Sequence, residues 1–252
     1  MVDNETTMKL RAMKLSGIAE CLENLASVPN AAGYTTSDVI KMAVDHEWDR
    51  RRNSKLKRLQ KKASLAQPYA DMADIRLVAD RVIDTDLMGR LTIGNYLMRH
   101  QDVVLQGPTG SGKTFVACAL ANKACQQFHN VLYLDATELF DRLTLGERNG
   151  ERKRVLDQLV KAELLVIDDW FLSRPTNDQV RQLHVLIDRR HRQASTIFCT
   201  QLAPDEWHDQ MEEKVLADAI VDRIVSNAYM TTLDCRDSLR RIFNSMDEAC
   251  DS

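Results

Sequence analysis

The residues best suited to chemistry lie between Leu105 and Phe115, in the run LQGPTGSGKTF. Gly107, Pro108, Thr109, Gly110, Ser111, Gly112, Lys113 and Thr114 satisfy the pattern G-x-x-x-x-G-K-[ST]. Glycines let successive backbone N–H groups turn inward around phosphate oxygens, and a helix that follows adds the partial positive charge of its N-terminus. In such a loop the Lys113 ammonium reaches the β- and γ-phosphates of a nucleotide, and the Thr114 hydroxyl meets Mg²⁺. The flanks are those this chemistry needs: DVVLQ reads as a strand and KTFVACALANKACQ as an alanine-rich helix.

A magnesium site needs a second oxygen anchor at the end of a buried strand. LLVIDDW supplies it, with four apolar residues followed by Asp168 and Asp169. Asp168 would hold the ion through water, because Mg²⁺ keeps much of its hydration shell. Asp169 is placed to orient or deprotonate an attacking water. The run STIFCTQ ends in Thr200 and Gln201, polar side chains at a strand tip that would sense the γ-phosphate and hold that water. A generic strand-end loop is the competing reading of Thr200-Gln201. The expected cofactors are ATP and Mg²⁺, and the expected reaction is ATP hydrolysis.

These residues need a scaffold, and the texture of the chain changes to provide one. From about residue 101, short apolar runs alternate with amphipathic stretches. The strand candidates are Val103–Gln106, Val131–Asp135, Leu164–Asp168, Thr196–Thr200 and Met230–Leu233, with helices over Lys113–Gln127 and Asn177–Gln193 among others. Strands separated by helices predict a parallel sheet covered on both faces. Upstream, Leu10, Met13, Leu15, Ile18, Leu22 and Leu25 recur at helical spacing until Pro29–Gly33. A second helix starts with Thr36 or Ser37 as its cap, before Asp38-Val39-Ile40, and runs on through Trp48 into the basic stretch, ending before Pro68. Further helices are expected over Asp71–Ala79 and Asp86–Met98. The division is a helical region over residues 1–67 and an α/β domain over 68–252. Leu233 leaves 19 residues, too few for a C-terminal helical lid domain.

Composition narrows the class. The chain has 252 residues, 44% hydrophobic and 28% charged, as in ordinary soluble proteins. The longest apolar runs fall far short of a bilayer span, and MVDNETTMKL lacks the pattern of a secretory signal. Six cysteines (Cys21, Cys118, Cys125, Cys199, Cys235, Cys250) form no C-x-x-C pair, which reads as free thiols in a reducing cytoplasm. The net charge of -3 conceals a split. Residues 1–66 carry 12 Lys/Arg against 8 Asp/Glu, and the remainder 22 against 29. Arg50, Arg51, Arg52, Lys55, Lys57, Arg58, Lys61 and Lys62 form a run with no acidic residue, suited to neutralising DNA phosphates. No aromatic residue interleaves with it, so duplex backbone binding fits better than base stacking. A solvated helix or a dock for an acidic protein is the competing reading.

The ordered set GPTGSGKTFVACALANKA, LLVIDDW, STIFCTQLAPDEW, LADAIVDRIVSNA and RDSLRR resembles the IstB family, ATPase helpers of IS21-type insertion sequences related to DnaC-type helicase loaders within the AAA+ class. The resemblance runs from about residue 8 to 242. It implies a P-loop AAA+ core with a five-stranded parallel sheet, Lys113 and Thr114 on ATP and Mg²⁺, and Asp168 and Asp169 as the Walker B pair. It also implies that Arg223 is an arginine finger acting in trans. A salt bridge to Asp218 or Asp222 is the simpler role for Arg223, and Arg189 and Arg190 are competitors that a solvated helix end would explain. By the same resemblance the protein assembles on duplex DNA with ATP and recruits a transposase. The chain departs from the family at Trp170-Phe171, where a glycine is usual, at Thr200-Gln201, and at Arg236, ahead of Arg240. The rival functions are a helicase loader, a P-loop kinase of a small metabolite, and a nucleotide-regulated scaffold.

Overall fold

A computed structural model describes residues 3–27, 33–74, 81–82 and 85–235. The chain divides into two compact units, Met1–Arg58 and Leu59–Ser252.

The first unit is helical. Asp3 caps α1 (Asn4–Ala12) by accepting from Thr6 N–H at 2.6 Å. Lys14, at φ 61°, breaks the expected single helix and separates α1 from α2 (Ser16–Ser27). Helix α3 spans Thr36–Ala63. Gly17 lets α2 approach α3 closely, since a Cβ there would lie 2.8 Å from Glu47 Cα. The Gly17 N–H donates to Glu47 Oε2 at 2.7 Å, and Arg51 Nε to Oε1 of the same carboxylate at 2.6 Å. That Arg51 contact holds the Glu47 carboxyl below its ordinary range.

The second unit carries β1 (Arg81–Val82), α4 (Thr85–Ile93), α5 (Asn95–Met98), β2 (Asp102–Gln106), α6 (Lys113–Gln126), β3 (Val131–Asp135), α7 (Ala136–Arg148) and α8 (Arg152–Val160). It continues with β4 (Leu164–Trp170), α9 (Asn177–Arg190), β5 (Ser195–Thr200), α10 (Pro204–Trp207), α11 (Lys214–Val225), β6 (Ala228–Thr232) and β7 (Asp234–Cys235). Five strands form a parallel sheet in the order β3-β4-β5-β2-β6. The α/β expectation holds, and the five strands match those read from sequence within two residues at each end. An antiparallel pair, β1 with β7, was not foreseen. The helix expected over Asp86–Met98 is two helices, parted at Gly94 (φ 88°). The helix expected over Asp71–Ala79 has turns at 72–73 and lies outside the described residues from 75 onward.

Burial explains the sheet. Strands β2, β4 and β5 have apolar centres and are buried on both faces almost throughout. Beneath them Arg190 is only 2% exposed. Its guanidinium donates to Leu159 O and Ala162 O, each at 2.7 Å, and to Ser195 O and Thr196 Oγ1. It therefore ties the end of α8 and the start of β4 to β5, and is not the solvated helix end expected from sequence. Asp102 accepts the Thr196 N–H at 2.6 Å, and burial pushes its carboxyl up to about 7.

At the other end of the sheet, β4 carries a bulge. Ile167 pairs with Phe198 and Trp170 with Thr200, so Asp168 and Asp169 together oppose Cys199. Asp169 (φ 54°) and Phe171 (φ 57°) adopt left-handed backbone. The Phe171 ring lies 4.4 Å from Trp170 and 5.9 Å from Trp207, ring centre to ring centre.

Replacing Arg190 with Met would take the guanidinium from five acceptors and should cost about 3 kcal/mol or more, since each buried acceptor left unpaired costs about 1–3 kcal/mol. Urea unfolding measures it, and a variant within about 1 kcal/mol of the parent would show the guanidinium to be dispensable. For Phe171→Gly, relief of about 1 kcal/mol of backbone strain opposes a loss of about 3–5 kcal/mol of aromatic packing. The same measurement should show net destabilisation; a more stable variant would mean that strain dominates.

Candidate functional site

Strand β2 runs straight into the glycine loop and the loop into α6, so the sheet aims the loop at the N-terminus of that helix. Gly107 is required by close approach: a Cβ there would collide with Leu233 O and lie 2.7 Å from Ser111 Oγ. Its N–H donates to Thr200 O at 3.1 Å, tying the loop to β5. Gly112 caps α6 at φ 92°, a conformation that glycine reaches without strain. The first N–H groups of a helix have no partner within it, and with the helix dipole they make this end suited to anions. Lys113 opens α6, is 8% exposed, and donates to Gly107 O at 2.8 Å and Pro108 O at 2.9 Å. Burial lowers its pKa, against the opposing pull of Cys199, Asp168 and Asp169.

Asp168 is 4% exposed, and its carboxylate is fully engaged. Oδ2 accepts from Thr114 Oγ1 and from the Tyr133 hydroxyl, each at 2.7 Å, and Oδ1 accepts the Asp169 N–H at 3.0 Å. Burial and then the Asp168 charge push the Tyr133 phenol up, which keeps it a proton donor. Sequence reading did not find Tyr133. The signal available was register, since Asp135 pairs with Asp168 and Tyr133 stands two residues back on the same face of β3.

Among the described residues no group of three or more His, Cys, Asp or Glu could hold a metal. That is compatible with Mg²⁺, which is bound by one or two protein oxygens together with phosphates and water. Thr114 Oγ1 and Asp168 are a hard-oxygen pair of that kind, beside a loop built for phosphate, so the residues fit the ion.

The bulge exposes Asp169, which lines a cavity of about 130 Å³ together with Lys113, Cys199 and Gln201. Thr200 also borders it, but its hydroxyl accepts the Leu202 N–H at 3.1 Å and so serves its own turn. Of the two residues at the strand tip, Gln201 is the exposed one. Trp170 and Phe171 stand on the wall of this cavity, where a glycine would leave it open.

Arg223, on α11, is not among the residues lining that cavity. It pairs at 2.9 Å with Asp188 of α9, rather than with Asp218 or Asp222, and donates to Ala219 O at 3.0 Å. Arg189 pairs with Asp157 at 3.5 Å. The eight cations of the basic run are all exposed along α3. Arg50 meets Glu20 at 3.7 Å, Arg51 meets Glu47, and Lys62 donates to Asn130 Oδ1 at 2.9 Å. Arg236 and Arg240 lie outside the described residues.

Comparison with known proteins agrees with this geometry. The family model described as "IstB-like ATP binding protein" matches residues 8–245. The insertion sequence ATP-binding protein y4pL of Sinorhizobium fredii is 34% identical over 96% of this chain and 98% of its own length. The ATP-binding protein of insertion sequence IS1162 from Pseudomonas fluorescens is 32% identical over 80% of this chain and 87% of its own length. Among solved structures, DnaI superposes with a TM-score of 0.56 at 22% identity, covering 66% of this chain and 92% of that one. The DnaC helicase loader gives 0.51 at 20%, covering 60% and 91%. Those two likenesses establish the AAA+ fold. A glycine loop facing a buried aspartate across a parallel sheet, matched nearly end to end by one family, places the chain in the IstB-like ATP binding protein family, as a P-loop ATPase of IS21-type insertion sequences.

Proposed function

We propose that the protein uses ATP and Mg²⁺ to assemble on duplex DNA and to recruit the transposase of its insertion sequence. The observation that supports the ATP chemistry best is the 2.7 Å bond between Thr114 and Asp168, residues 54 apart in the chain, beside the buried ammonium of Lys113.

The loop N–H groups and Lys113 bind the phosphates and offset their charge. Thr114 and Asp168 would hold Mg²⁺, which would supply neutralisation of phosphate charge. Asp169 orients a water in the adjoining cavity and accepts its proton, and Gln201 holds that water in line. As the water oxygen bonds to the γ-phosphorus, the bond to the β,γ-bridging oxygen breaks and ADP leaves. Arg223 of one subunit serves the γ-phosphate of its neighbour, which makes turnover depend on assembly. The exposed cations of α3, Arg50 to Lys62, neutralise DNA phosphates without choosing a sequence.

Sedimentation with duplex or single-stranded DNA, in ATP, ADP or neither, tests the reading. Large complexes on duplex with ATP are expected, and assembly confined to single strands would favour a helicase loader instead. Lys113→Ala should abolish the complexes. Asp169→Ala should retain ATP and the complexes while hydrolysis falls by about 10²-fold or more; rapid turnover would remove Asp169 from the chemistry. Charge reversal across Arg50–Lys62 should weaken DNA binding and reduce the slope of log K against log salt, by roughly 0.9 for each phosphate no longer neutralised. An unchanged slope would place the DNA-binding surface elsewhere.

A further inference from the structure

Asp168 is held from two sides, and the ATP-binding motifs account for only one. The Thr114 hydroxyl comes from the start of α6, while the Tyr133 hydroxyl comes from β3, the edge strand next to β4, and reaches the same oxygen at the same 2.7 Å. Two hydroxyls donate to Oδ2, and the Asp169 N–H donates to Oδ1 from the backbone. Donors converging on both oxygens restrain the carboxylate's orientation. Without the phenol, Oδ2 loses one of its two hydroxyl donors, and the carboxylate is freer to turn about its Cβ–Cγ bond, a soft torsion.

We propose that Tyr133 is a positioning residue of the ATPase site, whose hydroxyl locks the Asp168 carboxylate toward Thr114 in the orientation that Mg²⁺-nucleotide requires. The inference rests on the ATPase reading of Asp168 and Thr114. Tyr133 touches neither nucleotide nor water in this role; it acts through Asp168. Oxygens held by such outer partners lose affinity for their ion when the partner is removed, typically by 10- to 100-fold.

The test is Tyr133→Phe, which keeps the ring and removes one oxygen. Binding of a fluorescent ADP analogue is titrated with excess Mg²⁺ and again in EDTA, and the thermal midpoint of the nucleotide-free protein is recorded. The expected result is an unchanged Kd in EDTA and a midpoint lowered only slightly, since one donor to a buried carboxylate is lost. The tightening that Mg²⁺ gives the parent should shrink by about tenfold, and the Mg²⁺ concentration for half-maximal hydrolysis should rise in step. Equal Mg²⁺ dependence in variant and parent would overturn the role of Tyr133 and leave the ATPase reading standing. So would a Kd that weakens equally with and without Mg²⁺ alongside a much lower midpoint, because Tyr133 would then merely support the fold. A parent whose nucleotide binding ignores Mg²⁺ would overturn both.

Discussion

Burying a carboxylate is costly unless donors replace the water it gives up, and Asp168 sets that requirement at the centre of the catalytic unit. Its donors come from three parts of the chain: Thr114 after the glycine loop, Tyr133 on β3 and the backbone N–H of Asp169. The strand order explains how they meet. Strand β5 lies between β2 and β4, so the bond from Thr114 to Asp168 bridges over β5, and the Gly107 N–H is tied to Thr200 at that strand's tip. Strand β3 flanks β4 on the other side and brings Tyr133 with it. The ends of β2, β4 and β5 thus lie side by side, at the carboxyl edge where open α/β sheets bind ligands.

The site departs from local preference where it needs unusual geometry. In an ordinary strand Asp168 and Asp169 would point to opposite faces, and one of the two would be lost to the site. The bulge at Ile167–Trp170 and the left-handed backbone of Asp169 and Phe171 keep Asp168 buried against Thr114 and turn Asp169 to the cavity. Such conformations persist only when their surroundings hold them. Here the holding is aromatic: Trp170 packs on Phe171, Phe198 and Trp207. The turn at 169–171 is therefore held by ring packing.

That dependence on packing also marks what a reader of the sequence can extract. Strands β2, β4 and β5 were legible because parallel strands buried on both faces carry short apolar runs, and the glycine loop was legible because Gly107 is required sterically. The Asp168–Asp169 pair was legible from its place at the end of such a run. The bulge was not, since Trp and Phe at 170 and 171 carry no turn signal. Tyr133 was hidden because its role depends on strand register, which a single chain does not print. Arg190 misled, because an arginine at the end of a helix is usually solvated, and only the strand order reveals the carbonyls of Leu159, Ala162 and Ser195 around it.

Of the three arginines weighed for the role in trans, energetics sets Arg190 apart. Arg190 cannot leave its buried carbonyls without orphaning them, so it is fixed in its own subunit. Arg223 and Arg189 are held by ion pairs to Asp188 and Asp157 whose partners are about half exposed, at 54% and 39%. Pairs of that kind are worth about 0–1 kcal/mol. An arginine placed against a transferring phosphoryl group contributes a rate factor of roughly 10³–10⁵, so giving up the Asp188 pair would cost Arg223 little beside what that contact would return in the transition state. The same arithmetic applies to Arg189, and what favours Arg223 is its place in IVDRI, where the family resemblance puts the arginine finger. The Asp188 pair then has a physical consequence for the proposed assembly. It holds the guanidinium in a defined position on one subunit with a bond weak enough to yield once a neighbour presents its nucleotide.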